Sequence, residues 1–274
     1  MSRPEVHLEV MQQLDAWFGG ATRVAVAFSG GVDSALVAFW ARKVLGRDRC
    51  AAWTGDSPSL KRRDLAVARW FCSRHDIPLV LVNPGEIDDR NYASNPPDRC
   101  YHCKTSLYTS IAAGLSAMAG HWWICSGANL DDLGDYRPGL AAARHHSVRH
   151  PLLECGIGKS LVRELARANG LEVWDKPASP CLSSRIPYGE SVTRGKLAQI
   201  EAAERWLLER GFAVCRVRHH GSLARVEVPQ VRIHDLAKLW PDLCRAFLDF
   251  GFSEVEMDPE GLVSGKLNRA IGID

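Results

Sequence analysis

Apolar runs and helical spacings alternate along the first two thirds of the chain. Leu8, Met11, Leu14 and Trp17 recur at helical spacing between Glu5 and Phe18, and the pattern stops at Gly19-Gly20. The wholly apolar stretch Val24–Phe28 predicts a buried strand, and Ser34–Val44 a helix after it. The same alternation predicts strands over Cys50–Thr54, Leu79–Asn83, Trp122–Ser126 and Glu172–Trp174. Helices are predicted over Leu60–His75, Lys104–Met118 and Ser160–Asn169, the last closed by Gly170. Apolar strands alternating with helices imply an α/β fold with a parallel sheet covered on both faces. Ligands of such sheets bind at the carboxyl ends of the strands.

The pattern changes near Pro187-Tyr-Gly-Glu190. Beyond it lie a helix over Arg194–Arg210 and strands over Ala213–Val217 and Ala224–Val228. A helical stretch over Val231–Phe247, broken at Pro241, and a strand over Glu254–Met257 follow. This α-β-β-α-β order predicts a small α+β unit, so two domains are expected, 1–189 and 190–274.

Composition narrows the class. Among 274 residues, 46% are hydrophobic and 24% charged, enough apolar material for a core that needs no staples. A net charge of +2, spread along the chain, argues against a nucleic-acid partner. The start, Met1 to His7, has no apolar core, so no signal peptide is expected. The uncharged stretch Thr105–Asn129 contains three glycines, a histidine and several hydroxyls. It reads as a buried helix plus a buried strand rather than a membrane span. Nine cysteines without framework spacing fit a reducing cytoplasm.

Three constellations carry chemistry. The first is Ser29-Gly-Gly-Val-Asp-Ser34, placed between a buried strand and a helix start. Gly30 and Gly31 allow torsions that a Cβ forbids and leave amides uncovered, while the helix N-terminus adds unpaired N–H groups. Ser29 and Ser34 add hydroxyls. The Lys-Ser/Thr pair that the P-loop of kinases and GTPases carries after its second glycine is absent. Asp33 and the later run Gly127, Asn129, Asp131, Asp132 could hold Mg²⁺ beside a polyphosphate, or the aspartates could cap the next helix. The second is Cys100-Tyr-His-Cys103 with Cys181 in the loop Pro177-Ala-Ser-Pro-Cys181. Three thiolates fit a 4Fe–4S cluster with one open iron, whereas three unrelated buried thiols are the bland alternative. Cys50, Cys72, Cys125, Cys155, Cys215 and Cys244 read as structural. The third is Arg216 and Arg218, two apart in a strand and so on one face. With Arg185 they could grip a phosphate or carboxylate, Asp235 orienting one of them. Otherwise they are a solvated basic face.

The 29–34 loop resembles that of the PP-loop ATP pyrophosphatases, which split ATP into AMP and pyrophosphate. Taken with Arg99–Lys104, Gly127–Gly139, Lys176–Gly189 and the Arg216/Arg218 strand, the chain is identified as resembling the LarE family of ATP-dependent sulfur transferases along essentially its whole length. The resemblance implies a Rossmann-like adenine nucleotide alpha hydrolase domain that binds ATP and Mg²⁺ through Ser29, Gly30, Gly31, Asp33, Ser34, Gly127, Asn129 and Asp132. It implies a C-terminal domain that binds the substrate, pyridinium-3,5-biscarboxylic acid mononucleotide, through Arg185, Arg216, Arg218 and Asp235. The product would serve the nickel-pincer nucleotide of lactate racemase maturation. The sulfur comes either from sacrifice of Cys181 or from sulfide on a 4Fe–4S cluster held by Cys100, Cys103 and Cys181, and the complete triad favours the cluster. A homo-oligomer and an external sulfur donor are expected as well. Other readings are a PP-loop tRNA thiolation enzyme, which should be more basic, an amide ligase, which needs an ammonia source, and a nucleotide-binding or zinc-stabilised scaffold without turnover.

Overall fold

A computed structural model describes residues 3–134, 136–263, 266–269 and 272. The chain divides into two compact units, Met1–Glu86 with Cys100–Ser179, and Ile87–Arg99 with Pro180–Asp274.

The first unit is an α/β layer structure. Strands β1 (Val24–Ala27), β2 (Cys50–Gly55), β3 (Leu79–Val82) and β4 (Trp123–Cys125) form a parallel sheet in the order β3-β2-β1-β4. Successive residues of a strand face opposite sides, and both sides are buried here. Val24 and Val26 join Cys50, Ala52 and Cys125 in a core with α1 (Arg3–Gly19), α2 (Val32–Leu45), α3 (Arg62–Arg74) and α8 (Lys159–Ala168). Ala25, Ala27, Ala51 and Trp53 face Tyr108, Ile111 and Leu115 of α5 (Arg99–Ser116) and Ala142 and Ala143 of α6 (Pro138–His145). A short α7 (Pro151–Glu154) lies between α6 and α8 in sequence. The chain runs from β1 to β2 and β3 on one side and returns to β4 on the other. The loops after β1 and β4 therefore flank the point where strand order reverses, where such sheets bind ligands.

The second unit holds α4 (Arg90–Ala93) and α9 (Arg194–Glu209). Its sheet β5 (Arg216–His220), β6 (Leu223–Glu227), β7 (Glu254–Met257) pairs antiparallel and then parallel. Helices α10 (Ile233–Lys238), α11 (Trp240–Asp249) and α12 (Lys266–Arg269) complete it. Leu207, Phe212, Val217, Val226, Leu243 and Phe247 are central to its core.

Three expectations are corrected. Glu172–Trp174 is a turn, not a strand: Trp174 N–H reaches Leu171 O and Lys176 N–H reaches Val173 O. Arg163 takes the Trp174 and Lys176 carbonyls that a strand would have offered to a neighbour. The strand predicted at Ala213–Val217 begins at Arg216, because Ala213 and Val214 lie in an exposed bend after the α9 cap and pairing with β6 starts at Arg216↔Glu227. The helix predicted from Lys104 begins at Arg99, which makes Cys100 and Cys103 helical. The compact units change over along the chain at 86/87, 99/100 and 179/180. Residues 87–99 join the second unit because Asn95 Nδ2 donates to Ile186 O and Pro187 O, Arg99 donates to Ser183 O, and Val192 N–H pairs with Ala93 O. Among the described residues, no helix is long and apolar enough to cross a membrane.

Candidate active site

The loop after β1 folds on its own hydroxyls. Ser29 N–H donates to Ser34 Oγ at 3.2 Å, Ser34 Oγ donates to Gly31 O at 3.1 Å, and the two hydroxyl oxygens are 3.2 Å apart. Gly30 has φ +70°, so the left-handed turn calls for glycine, while a Cβ there would only touch Asp64 O at 3.4 Å and Ala68 N at 3.5 Å, ordinary contact distances. Helix α2 starts at Val32 with its N-terminus at the loop, and Asp33 lies in its first turn.

The loop after β4 meets this one. Gly127 packs against the start of α2 so closely that a Cβ would be 2.6 Å from Ser34 N and 2.8 Å from the Asp33 carbonyl carbon. Asn129 Nδ2 donates to Asp33 Oδ1 at 3.1 Å, and Asn129 N–H donates to Asp132 Oδ2 at 3.0 Å. Arg137 pairs with Asp132 Oδ1 at 3.0 Å. Thus Ser29, Gly30, Gly31, Asp33, Ser34, Gly127, Asn129 and Asp132 come together in one cradle. The glycine approaches leave room for phosphate oxygens, and carboxylates beside them suit a hydrated Mg²⁺.

Sequence reasoning overlooked three residues in this cradle. Lys159, the first residue of α8, places Nζ 2.5 Å from Asp33 Oδ2, and its N–H donates to Asp131 Oδ2 at 2.5 Å. Lys176 donates to Gly30 O at 2.9 Å and pairs with buried Asp64 at 3.0 Å. Lys159 follows Gly158, whose own Cβ would lie 2.9 Å from Asp131 Oδ2, and this glycine–lysine pair at a helix start was the available signal. Nothing local marked Asp64 among the charges of α3.

Cys100 and Cys103 stand three apart in the first turn of α5 and hence on one helical face. Cys100 is exposed and Cys103 half-buried, so this donor pair suits two thiolate ligands of an iron–sulfur cluster. Cys181 belongs to the second unit and is half-buried just before the turn Leu182–Arg185. Among the described residues, no three His, Cys, Asp or Glu side chains stand together as a metal group. The cysteines read as structural behave as core thiols where burial is deep. Burial pushes Cys50 up to about 11 and Cys72 to about 12, and raises Cys125 further still.

In the second unit, two of the three expected anion-binding arginines are already engaged. Arg185, 1% exposed, donates through Nε to Glu204 Oε1 at 2.6 Å and through Nη1 to Ser184 Oγ at 2.7 Å. Arg218 holds Glu227 with Nε and Nη2 at 3.0 and 3.1 Å and gives Nη1 to Ser184 O at 2.8 Å. Asp235 does not orient them. It pairs with Arg232 at 2.9 Å and Lys238 at 3.4 Å, at or beside its own helix, while Glu204 and Glu227 do the orienting. Arg216 stands directly opposite Glu227 in the sheet, but that carboxylate is taken by Arg218, its diagonal neighbour. Among the described residues, Arg216 donates Nη1 to Val263 O at 3.2 Å. Burial, then the charges of Arg218 and Arg185, hold its guanidinium below the usual value. Three guanidiniums against two carboxylates leave a half-buried positive surplus that an anion would relieve. Glu204 was legible as a charge interrupting the apolar stripe Leu197, Ile200, Leu207 of α9.

Residues 11–94 match a protein-family model described as NAD synthase. The chain is 42% identical over 267 residues to an uncharacterized protein of Synechocystis sp., covering 95% of this chain and 97% of that protein. It is 36% identical over 249 residues to the pyridinium-3,5-bisthiocarboxylic acid mononucleotide synthase of Lactiplantibacillus plantarum, covering 91% and 90% of the two chains. Over 236 residues it is 25% identical to an uncharacterized protein of Methanocaldococcus jannaschii, covering 85% and 88%.

Proposed function

This chain belongs to the LarE family of PP-loop ATP-dependent sulfur transferases, and on that premise we propose that it converts a carboxylate of pyridinium-3,5-biscarboxylic acid mononucleotide to a thiocarboxylate. The observation that carries this reading is the cradle at the strand-order reversal, with Asp33, Asn129 and Lys159 converging beside the glycine loop. A substrate carboxylate oxygen attacks the α-phosphorus of ATP, and pyrophosphate leaves. The amides of 29–34 and the lysines Lys159 and Lys176 bind the departing anion, and Asp33 with Asp132 would hold an Mg²⁺ that neutralises phosphate charge. A sulfur nucleophile then attacks the acyl carbon and AMP leaves. Cys100, Cys103 and Cys181 would hold a 4Fe–4S cluster, which supplies a sulfide as that nucleophile when bound. The alternative is that Cys181 gives up its own sulfur and becomes dehydroalanine. Assembly as a homo-oligomer and an external sulfur donor belong to the same proposal, as does the place of the product in nickel-pincer nucleotide synthesis.

The test is pyrophosphate release from ATP, which should require the biscarboxylate mononucleotide. Release without it, or none with it, sinks the reading. Cys100→Ala separates the sulfur sources. Under the cluster route it abolishes sulfur transfer while Cys181 keeps its thiol. One sulfur transferred per chain, with dehydroalanine at position 181, would establish the sacrificial route instead.

We assign the substrate phosphate to Arg216 in particular, which gives Nη1 to Val263 O and has no carboxylate partner among the described residues. Arg216→Lys keeps the charge but loses the two-pronged geometry. Its KM for the mononucleotide should rise about tenfold, the value of one charged hydrogen bond, with the KM for ATP unchanged. An unaltered KM for the mononucleotide rules this assignment out.

A further inference from the structure

Beyond the pyrophosphate-binding role given to Lys176, its side chain belongs to a part-buried polar relay in the first unit. Lys176 Nζ donates to the carbonyl of Gly30 at 2.9 Å and pairs with Asp64 Oδ1 at 3.0 Å. The other oxygen of that carboxylate accepts from Ser179 Oγ at 2.7 Å. Lys176 and Asp64 side chains are only 14% and 8% exposed, so water screens this contact weakly. One end of the relay is therefore the peptide between Gly30 and Gly31. Holding its carbonyl fixes the plane of that peptide, and so the direction in which the Gly31 N–H points. The other end is Ser179, two residues before Cys181. The segment between has no regular structure and includes Pro177 and Pro180, which have no N–H to donate. Ser179 Oγ is thus one tether of this segment, beside the bonds that Pro180 O accepts from Arg185 and that Cys181 O accepts from Ser184.

We propose that Asp64 and Ser179 are positioning residues that couple occupancy of the phosphate loop to the placement of the segment bearing Cys181. The inference rests on the reading that residues 29–34 bind ATP and that Cys181 takes part in sulfur transfer. Its physical basis is the shared ammonium. Lys176 divides its donors between a loop carbonyl and Asp64, and a phosphate arriving at the loop adds negative charge on one side of that division. The ammonium shifts towards the loop, the Asp64 carboxylate loses part of its partner, and the Ser179 hydroxyl follows it. Such coupling needs only a difference in relay energy between empty and filled loop. It would place Cys181 according to whether the loop holds phosphate, so that sulfur transfer depends on bound nucleotide.

The experiment is hydrogen–deuterium exchange of the full chain with and without ATP–Mg²⁺, read on the peptide spanning 178–184, beside pyrophosphate release by the same preparations. In the parent protein, ATP–Mg²⁺ should change exchange in this peptide about fivefold, the factor one hydrogen bond supplies. Ser179→Ala should lose that change, and Ser179→Thr should restore it by restoring the hydroxyl. Ser179→Ala should also lose about fivefold more in sulfur transfer than in pyrophosphate release. Asp64→Asn, which weakens both arms of the relay, should lose the change as well. Unchanged exchange in a parent protein that releases pyrophosphate overturns the coupling and leaves the proposed function standing. So does a Ser179→Ala protein that keeps the full response, or one that loses both activities equally. Failure of the parent protein to bind ATP overturns both.

Discussion

Gly127→Ala is expected to lower pyrophosphate release about 100-fold, the cost of displacing reacting groups by roughly an ångström. An added Cβ would sit 2.6 Å from the backbone nitrogen of Ser34 and 2.8 Å from the Asp33 carbonyl carbon. Neither can yield like a flexible side-chain tip, because both belong to the first turn of α2. The start of the helix must move, and with it the amides and the Asp33 carboxylate that form the cradle. The loop itself offers the control. Gly134 lies in the same connection with nothing within 4 Å of an added Cβ and an ordinary backbone, so Gly134→Ala should keep activity. A folded Gly127→Ala protein with parental pyrophosphate release would remove the 127–132 loop from the nucleotide site.

Glu204→Ala is expected to destabilise the second unit by about 3–5 kcal/mol, the usual cost of stranding one member of a buried ion pair. The Glu204 carboxylate takes Arg185 Nε at 2.6 Å and Nη2 at 3.3 Å, and accepts from Val217 N–H at 3.3 Å at the start of the sheet. Arg185 is 1% exposed and has no route to water without moving the turn at Leu182–Arg185. Removing both charges is a different matter. The double variant Arg185→Met, Glu204→Leu should recover most of the loss, because the desolvation cost disappears with the attraction. Denaturant unfolding followed by hydrogen–deuterium exchange of peptides from α9 measures both. A single variant less than about 1 kcal/mol below the parent would mean that the pair is as weak as an exposed one.

The two expectations differ in how far they could be seen in advance. The phosphate loop was readable because its chemistry is local. A strand, two glycines, a serine at each end and a helix start are consecutive, and the backbone geometry follows from those residues. The order β3-β2-β1-β4 was not readable, although a parallel sheet was, since alternation reports burial on both faces and not which strands are neighbours. The Arg-x-Arg pattern in β5 was visible, but its partners were not. Asp235, near in sequence to a basic stretch, pairs with its own surroundings, while Glu227 reaches Arg218 across a strand pair.

By itself the sequence determined the α/β class, the two-part organisation, the glycine loop at 29–34 with its companion at 127–132, and the spacing of Cys100 and Cys103. Each rests on a period, a glycine demanded by the backbone, or a spacing within one element. Only the tertiary structure decided that Lys159 meets Asp33 from 126 residues away and that Lys176 ties Gly30 to Asp64. It also decided that Arg185 and Arg218 are held by carboxylates, while Arg216 has no carboxylate partner among the described residues. Hydrogen bonds and ion pairs act over about 3 Å in space whatever the distance along the chain. Folding chooses which charges meet, and burial then decides which of them a ligand can still reach.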